Sequence, residues 1–569
     1  MEYQKNELSC DVLVVGGGVG GLTCAIEIKE KNPALDVLII EKQTAGYGGK
    51  ANKGGGVLQY FDLTKMTPDE FVTFHVKNIG CYLGDQDIMR KYVEMNNEML
   101  DKLAGWGCNL PKNEDGSYFV IPTGPMTSMI TVDLDITLQM RRRAEKLGCR
   151  IMDKTTMAEL FTENGRIIGA AAYSILDGSF YVISAGNVVL ATGSQNYRFA
   201  SMWSSGRGDG IAAAYRAGAE MRNAEFGNFA QIAKVKSHDE VVFGENNMYN
   251  ALGEFITPHF RSYRETDINS NAIREWYLQM QAGTGPVHLE YDQPAGRGTE
   301  GGKEGGGDHG GGADMARLFD RPYGRKFRML NTQSSSSIDT DMEICPLFIG
   351  EQSPIRVDND MHTSIKGLYA IGDCSYAGSA APGAVPAPPG RNRGSGILNA
   401  VFAGIICGDT IAASKLPEAI AVSAEKVAAC EQKVYAPLNR TSGNQAKEVI
   451  DLIQQAMVPV EQSIIMEASR MQKAKALIAQ AKELAGDMVA EDFHGLLACH
   501  EAEAMVLCAE MHYAASEMRR ESRGWFLRED YPDIDNENWL KWIIIQNVDG
   551  EMTLRTEDVP VEKWPNKPE

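Results

Sequence analysis

Asp11-Val12-Leu13-Val14-Val15-Gly16-Gly17-Gly18-Val19-Gly20-Gly21-Leu22 decides the fold. Residues 11–15, apolar from Val12 to Val15, read as a buried strand, and a helical pattern runs from Leu22 to Lys31. A second apolar strand, Val37 to Ile40, ends in Glu41-Lys42. The glycines between the first strand and the helix fit G-x-G-x-x-G at Gly16, Gly18 and Gly21. An acid, Glu41, stands 20 residues after the last of them. In such a βαβ unit the first glycine permits a tight turn. The second lets the backbone approach a pyrophosphate, and the third lets helix and strand pack closely. The helix N-terminus offers amide donors and a positive dipole end to phosphate oxygens. Glu41 is placed to accept hydrogen bonds from ribose hydroxyls. A glycine-rich turn alone is weak evidence. Here both strands, the helix and the acid stand in register around it, and the reading is dinucleotide binding.

The 569 residues are 43% hydrophobic, enough for a large core, and two to four domains are expected. The net charge of -20 argues against a general nucleic-acid binder. The polar start Met1-Glu2-Tyr3-Gln4-Lys5 does not read as a secretory signal. No apolar run approaches the length of a membrane span, so no direct membrane insertion is expected and a cytoplasmic location is the default. The 11 cysteines are scattered without a C-x-x-C, which speaks against a zinc site or an iron–sulfur cluster within this chain.

Beyond the βαβ unit lies the glycine-rich loop 45–56, which includes Lys53, Gly54 and Gly55, and then a largely helical stretch from Thr67 through Trp106. Another helix is expected from Asp133 to Lys146. Strands are expected at Cys149 to Met152, Arg166 to Ser174, Tyr181 to Ser184 and Val188 to Gly193. A small-residue helix follows at Gly208 to Gly218. Residues 230–340 lose this periodicity, and 296–312 is so rich in glycine that composition favours a flexible loop. The α/β pattern resumes near Ile355 with a strand at Gly367 to Asp373 and a helix from Ser395 to Ile411. Residues 420–520 are strongly helical, and the tail ends in strand-like pieces. The expected domains are therefore 1–235 and 341–425 for the two parts of a dinucleotide-binding domain, 236–340 for a capping insert, and 426–569 for a helical domain and tail.

This arrangement resembles the succinate dehydrogenase and fumarate reductase flavoprotein superfamily, which includes L-aspartate oxidase and the alpha chain of adenylylsulfate reductase. The resemblance spans nearly the whole chain. It rests on Gly16–Gly21 with Glu41, Ala191-Thr192-Gly193, Gly208-Asp209-Gly210, Gly367 through Asp373, and the C-terminal Glu521-Ser522-Arg523-Gly524 with Arg528-Glu529-Asp530-Tyr531-Pro532. It implies an α/β fold: a Rossmann-like FAD-binding domain, interrupted by a capping α+β domain and followed by a helical domain. It implies FAD as the dinucleotide. Lys42 and the 45–56 loop then pass the pyrophosphate and flavin, Thr192 and Gly193 close the crevice, and Asp209, Gly372 and Asp373 contact flavin or ribityl groups. The helix opened by Ser395-Gly396-Ile397-Leu398 is expected to aim its N-terminus at the flavin. Quinol-linked members bind FAD covalently through a histidine in the loop after the second strand. Here no histidine precedes His75, so non-covalent FAD is expected.

The same resemblance sharpens what is missing. Members acting on succinate or fumarate carry substrate histidines where this chain reads Glu225-Phe226-Gly227-Asn228-Phe229-Ala230-Gln231 and Pro346-Leu347-Phe348-Ile349-Gly350-Glu351-Gln352. Glu351 thus stands at a substrate position, where a carboxylate favours a cationic or hydroxylated ligand or serves as an acid when burial raises its pKa. Arg391, or Arg393 if the register shifts by two, matches a carboxylate-binding arginine; a salt bridge to FAD phosphate or to an acidic neighbour is the other reading. His259, Arg261 and Arg264 fall in the region of the catalytic arginine. Three functions stay open. One is a catalytic FAD subunit for an organic, anionic substrate, working by C=C reduction rather than simple fumarate chemistry. Another is a counterpart of the adenylylsulfate reductase alpha chain. The third is an electron-transfer subunit without turnover of its own. One dinucleotide fingerprint and no cluster cysteines point to a separate, ferredoxin-like iron–sulfur partner, and an oligomer is compatible with the sequence.

Overall fold

The computed structural model describes residues 3–52, 56–122, 126, 128–199, 206–235, 248–259, 269–289, 343–376, 395–415, 420–524 and 526–568. The opening unit is β1 (Lys5–Val15), α1 (Val19–Lys31) and β2 (Val37–Glu41). β1 and β2 pair in parallel with Val12 opposite Val37 and Val15 opposite Ile40. Both strands bury their apolar runs on two faces, which is why the sequence shows continuous rather than alternating hydrophobicity there.

Among the described residues a seven-stranded sheet runs in the order Arg150–Asp153, β2, β1, Phe180–Leu190, Arg166–Ser174, Thr155–Glu163. Its seventh strand, Leu368–Ala370, also lies against Phe180–Leu190. That long strand therefore serves two partners on one edge. Phe180 to Ser184 pairs antiparallel with Tyr173 to Gly169, and Val188 to Leu190 pairs in parallel with Leu368 to Ala370. The two strands expected at Tyr181 and Val188 are in fact one. Ala185, Gly186 and Asn187 continue the extended chain because β1 pairs with it from end to end. The strand Thr155–Glu163 was not expected, and residues 67–106 divide into three helices.

The carboxyl ends of β1, β2, Phe180–Leu190 and Leu368–Ala370 all open on one side, because they run parallel in one sheet. The helix Ser395–Ala413 packs on α1 along small residues. A Cβ on Gly404 would lie 2.6 Å from Thr23 Cβ, and one on Gly408 would lie 2.6 Å from Glu27 Cβ. Gly20 faces Ala400 in the same progression, so the helices run parallel and bring both N-termini to the crevice. The stretch Gly396–Ala413 is apolar and long enough to span a membrane, yet 61% of it is buried within the protein. Asn399 and Asp409 interrupt its apolar run.

The C-terminal part is helical from Ala424 to Met518, ending in the 26-residue helix Phe493–Met518. The tail does not stay with it. Its hairpin, Lys541–Val548 and Glu551–Asp558, joins a sheet with Met221–Arg222, Ile355–Arg356 and Ser375–Tyr376. The segment 519–523 is locked to the same region by buried ions. Arg519 Nε donates to Glu225 Oε1 at 2.8 Å, and Arg519 Nη1 to Glu521 Oε1 at 2.7 Å. Arg523 also forks onto Glu521, and all four side chains are fully buried. Part of the long C-terminal motif read from the sequence thus bolts the chain end to Glu225.

Candidate functional site

Gly16 turns the chain out of β1 with φ of +112°, where a Cβ would strike Ala191 O at 2.3 Å. A Cβ on Gly21 would lie 2.0 Å from Gly16 O. Gly18 differs. Among the described residues nothing lies within 4 Å of the Cβ it lacks, so its surface is an open cradle at the start of α1. The first turn of α1 holds no acid and its cap is Gly18, which has no side chain to accept from the helix amides, so the helix start suits an anionic ligand. Glu41 closes the other side, its Oε2 accepting from Gly17 N at 2.6 Å and its Oε1 from Gln43 N at 2.8 Å. A carboxylate has lone pairs to spare for two ribose hydroxyls.

Thr192 and Gly193 follow the strand Phe180–Leu190 into the crevice, and Gly193 has φ of +77°. Gly210 must be glycine because its Cβ would meet Thr192 Oγ1 at 2.2 Å. That contact sets Asp209, the first residue of the helix Asp209–Arg216, against the crevice wall. Asp209 Oδ1 is shut off from solvent and has no hydrogen-bond partner among the described residues. Its Oδ2 accepts from Lys42 Nζ at 2.6 Å, and Lys42 also reaches Glu501 Oε1 at 3.0 Å. Burial opposes the charge on Lys42, but Asp209 and Glu501 beside it outweigh that and hold its ammonium above the ordinary lysine range. Gly372, with φ of +62°, turns the chain after Leu368–Ala370 into Asp373. The helix that begins at Ser395 packs Ala400 beside Gly372, with Ile397 and Leu398 in its first turn and Leu398 fully buried. The open cradle at Gly18, the uncapped helix start and the orphaned Asp209 oxygen together fit a dinucleotide.

A second polar cluster sits at the same crevice. Glu351 follows the strand Ile344–Gly350, which pairs antiparallel with Phe229–Lys234. These are the two segments that the sequence resemblance set at the places of the dicarboxylate histidines, and the sheet sets them side by side. The amide of Glu351 donates to Gln195 O at 2.9 Å, so Glu351 is tied to the chain just beyond Thr192 and Gly193. Its φ of +74° is the left-handed region that only few non-glycine residues adopt. The carboxylate is wholly buried and ion-paired with Lys50. Lys50 Nζ also lies 3.6 Å from Asp373 Oδ2. The structure therefore joins a substrate candidate, Glu351, to a cofactor candidate, Asp373, through a lysine that the sequence reading passed over. Its one visible signal was a cation in a glycine-rich loop.

His259 is not part of this cluster. It is half exposed, and its Nδ1 lies 3.0 Å from Glu275 Oε1 in the capping segment. Arg391, Arg393, Arg261, Lys53, Gly54 and Gly55 lie outside the described residues, as does the glycine-rich stretch 296–312. His512 is buried with Nδ1 3.3 Å from Ala224 O, and burial lowers its pKa to about 4. Glu501, the other group missed, carries no motif around it. Among the described residues no group of His, Cys, Asp and Glu is arranged to hold a metal ion.

An FAD-binding domain model matches residues 11–235, and a fumarate reductase flavoprotein C-terminal model matches 453–569. The chain is similar to the fumarate reductase flavoprotein of Haemophilus influenzae, with 25% identity over 98% of this chain and 95% of that one. It is also similar to the L-aspartate oxidase of Streptomyces coelicolor, with 24% identity over 97% of this chain and 94% of the other. Its fold is that of the E. coli quinol fumarate reductase FrdA, with a TM-score of 0.80, 20% identity, and 99% and 98% of the two chains covered.

Proposed function

The chain belongs to the succinate dehydrogenase and fumarate reductase flavoprotein superfamily and is an FAD-dependent oxidoreductase, and from that premise we propose that it saturates a polarised C=C bond in an organic, anionic substrate. FAD is held without a covalent bond, since no histidine precedes His75. When bound, FAD supplies the hydride or electron pair. Electrons are exchanged through a separate iron–sulfur partner. The single dinucleotide fingerprint and the scattered cysteines support this reading.

The observation that carries the proposal is the Lys50–Glu351 ion pair beside Asp373, with Glu351 at a position that the resemblance gives to a substrate histidine. When a C=C bond takes a hydride on one carbon, the other carbon must take a proton. Lys50 Nζ holds that proton. Glu351, buried and unable to turn to solvent, fixes the ammonium in place, and its own tie to Gln195 keeps it from following the substrate. The lost histidines support a substrate other than fumarate.

The test begins with an absorbance spectrum before and after acid precipitation, which should leave FAD in the supernatant. Dithionite-reduced protein is then mixed anaerobically with fumarate, aliphatic and aromatic unsaturated monocarboxylates, and adenylylsulfate, and flavin reoxidation is followed. An unsaturated monocarboxylate should reoxidise it fastest. Lys50→Met should slow that step by about 10²–10⁴-fold at unchanged FAD content, the span of a lost general acid. Preference for fumarate or for adenylylsulfate would overturn the proposal.

A further inference from the structure

We propose that Glu501, on the helix Phe493–Met518, is a positioning residue of the dinucleotide site, and that it couples docking of the C-terminal helices to FAD binding. The inference rests on FAD as cofactor and not on the substrate reading.

Lys42 follows directly on Glu41, the residue that closes the crevice opposite Gly18. Its ammonium bridges Asp209, on the crevice wall, and Glu501, which lies 459 residues away in sequence. The other oxygen of Glu501 faces two more cations, with Arg198 Nη1 at 3.5 Å and Arg207 Nε at 3.6 Å. Glu501 is thus the acid around which Lys42, Arg198 and Arg207 gather. Without it, Lys42 keeps Asp209 but loses the acid that offsets Arg198 and Arg207 beside it, and repulsion among the three cations drives Lys42 out of line with Glu41.

The same helix holds the crevice at a second point. Gln352, the neighbour of Glu351, donates through Nε2 to Cys508 O at 3.0 Å and to Ala224 O at 3.2 Å. A Cβ on Gly208, just before Asp209, would meet Cys508 Sγ at 3.0 Å. One helix therefore braces Lys42, the start of the Asp209 helix and the Glu351 turn. If docking of the helix favours FAD, bound FAD must favour docking of the helix by the same factor.

The experiment uses the full chain, stripped of flavin and titrated with FAD by flavin fluorescence. Glu501→Gln should raise the FAD Kd by about 10- to 100-fold, within the range of a lost charge-assisted contact. Glu501→Asp should restore most of the affinity. Lys42→Met combined with Glu501→Gln should cost less than the sum of the two single losses, since both break the Lys42–Glu501 linkage. Glu510→Gln, which loses only the outward pair with Lys482, should leave Kd unchanged. Hydrogen exchange of the unmodified protein supplies a readout that does not depend on any variant folding. FAD should slow exchange across 493–518. Unaltered Kd in Glu501→Gln, or exchange across 493–518 indifferent to FAD, would overturn the inference. Failure of the unmodified chain to bind FAD would instead remove the cofactor assignment itself.

Discussion

The carboxylate of Glu41 accepts the amide proton of Gly17 at 2.6 Å, so the acid at the end of β2 is already bound to the turn that follows β1. The two residues lie on neighbouring parallel strand ends, and the bond draws the glycine turn and the ribose-side acid into one unit. A charged acceptor in such a place is worth about 1.5–3 kcal/mol. The ribose hydroxyls would bond to the same charged acceptor, so Glu41→Ala should weaken FAD binding by about 10- to 150-fold, by direct titration of the apoprotein. Affinity unchanged in this variant would show that Glu41 serves the turn and not the cofactor.

Gly18 and Gly21 separate ligand space from packing space. No described residue approaches the Cβ position of Gly18, whereas that of Gly21 runs into Gly16 O at 2.0 Å. Gly18→Val should leave the melting temperature of the apoprotein nearly unchanged and abolish FAD retention on gel filtration. Gly21→Ala should lower apoprotein stability by about 1–3 kcal/mol, the range of an overpacked core. The opposite pattern would assign the open cradle to something other than the pyrophosphate.

The buried bolt at the chain end makes a different prediction. Arg519 is fully buried between Glu225 and Glu521 and also donates to Lys541 O at 2.9 Å. Burial pushes the Glu225 carboxyl up, and the Arg519 guanidinium only partly offsets this. Arg519→Met strands the buried Glu225, while Glu521 keeps Arg523, and should cost about 3–5 kcal/mol by denaturant unfolding. A loss below about 1 kcal/mol would mean that the network relaxes around the gap.

Two buried histidines set an acid limit. Burial lowers the pKa of His75 from 6.5 to about 3 and that of His512 from 6.5 to about 4. In the unfolded chain both take a proton below about 6.5, while in the folded chain they stay neutral. The unfolded state then binds more protons, so stability falls as pH drops through 6.5 and continues to fall until about 4 for His512 and about 3 for His75. At about pH 5 the loss is about 2 kcal/mol for each. Replacing His512 by Gln should flatten the stability–pH curve between pH 6.5 and 4. An unchanged slope in urea melts would show that this histidine is not the group responsible.

Much of this protein is written locally. Gly16, Gly18, Gly21 and Glu41 stand within one βαβ unit, and the order of apolar runs and small residues there leaves one arrangement that buries both strands and frees the helix end. The stretch 420–520, read as strongly helical, likewise holds the helices between Ala424 and Met518. The tertiary structure alone decided the rest. It merged two short apolar pieces into Phe180–Leu190, because β1 pairs along the whole of it. It carried the tail hairpin back to Met221–Arg222. It paired Lys50 with Glu351 and Lys42 with Glu501 across hundreds of residues. Strand and helix formation depend on neighbours a few residues apart, and their periods are visible in a single chain. A buried ion pair depends on which surfaces meet after folding, and a lone lysine or glutamate carries no period that names its partner.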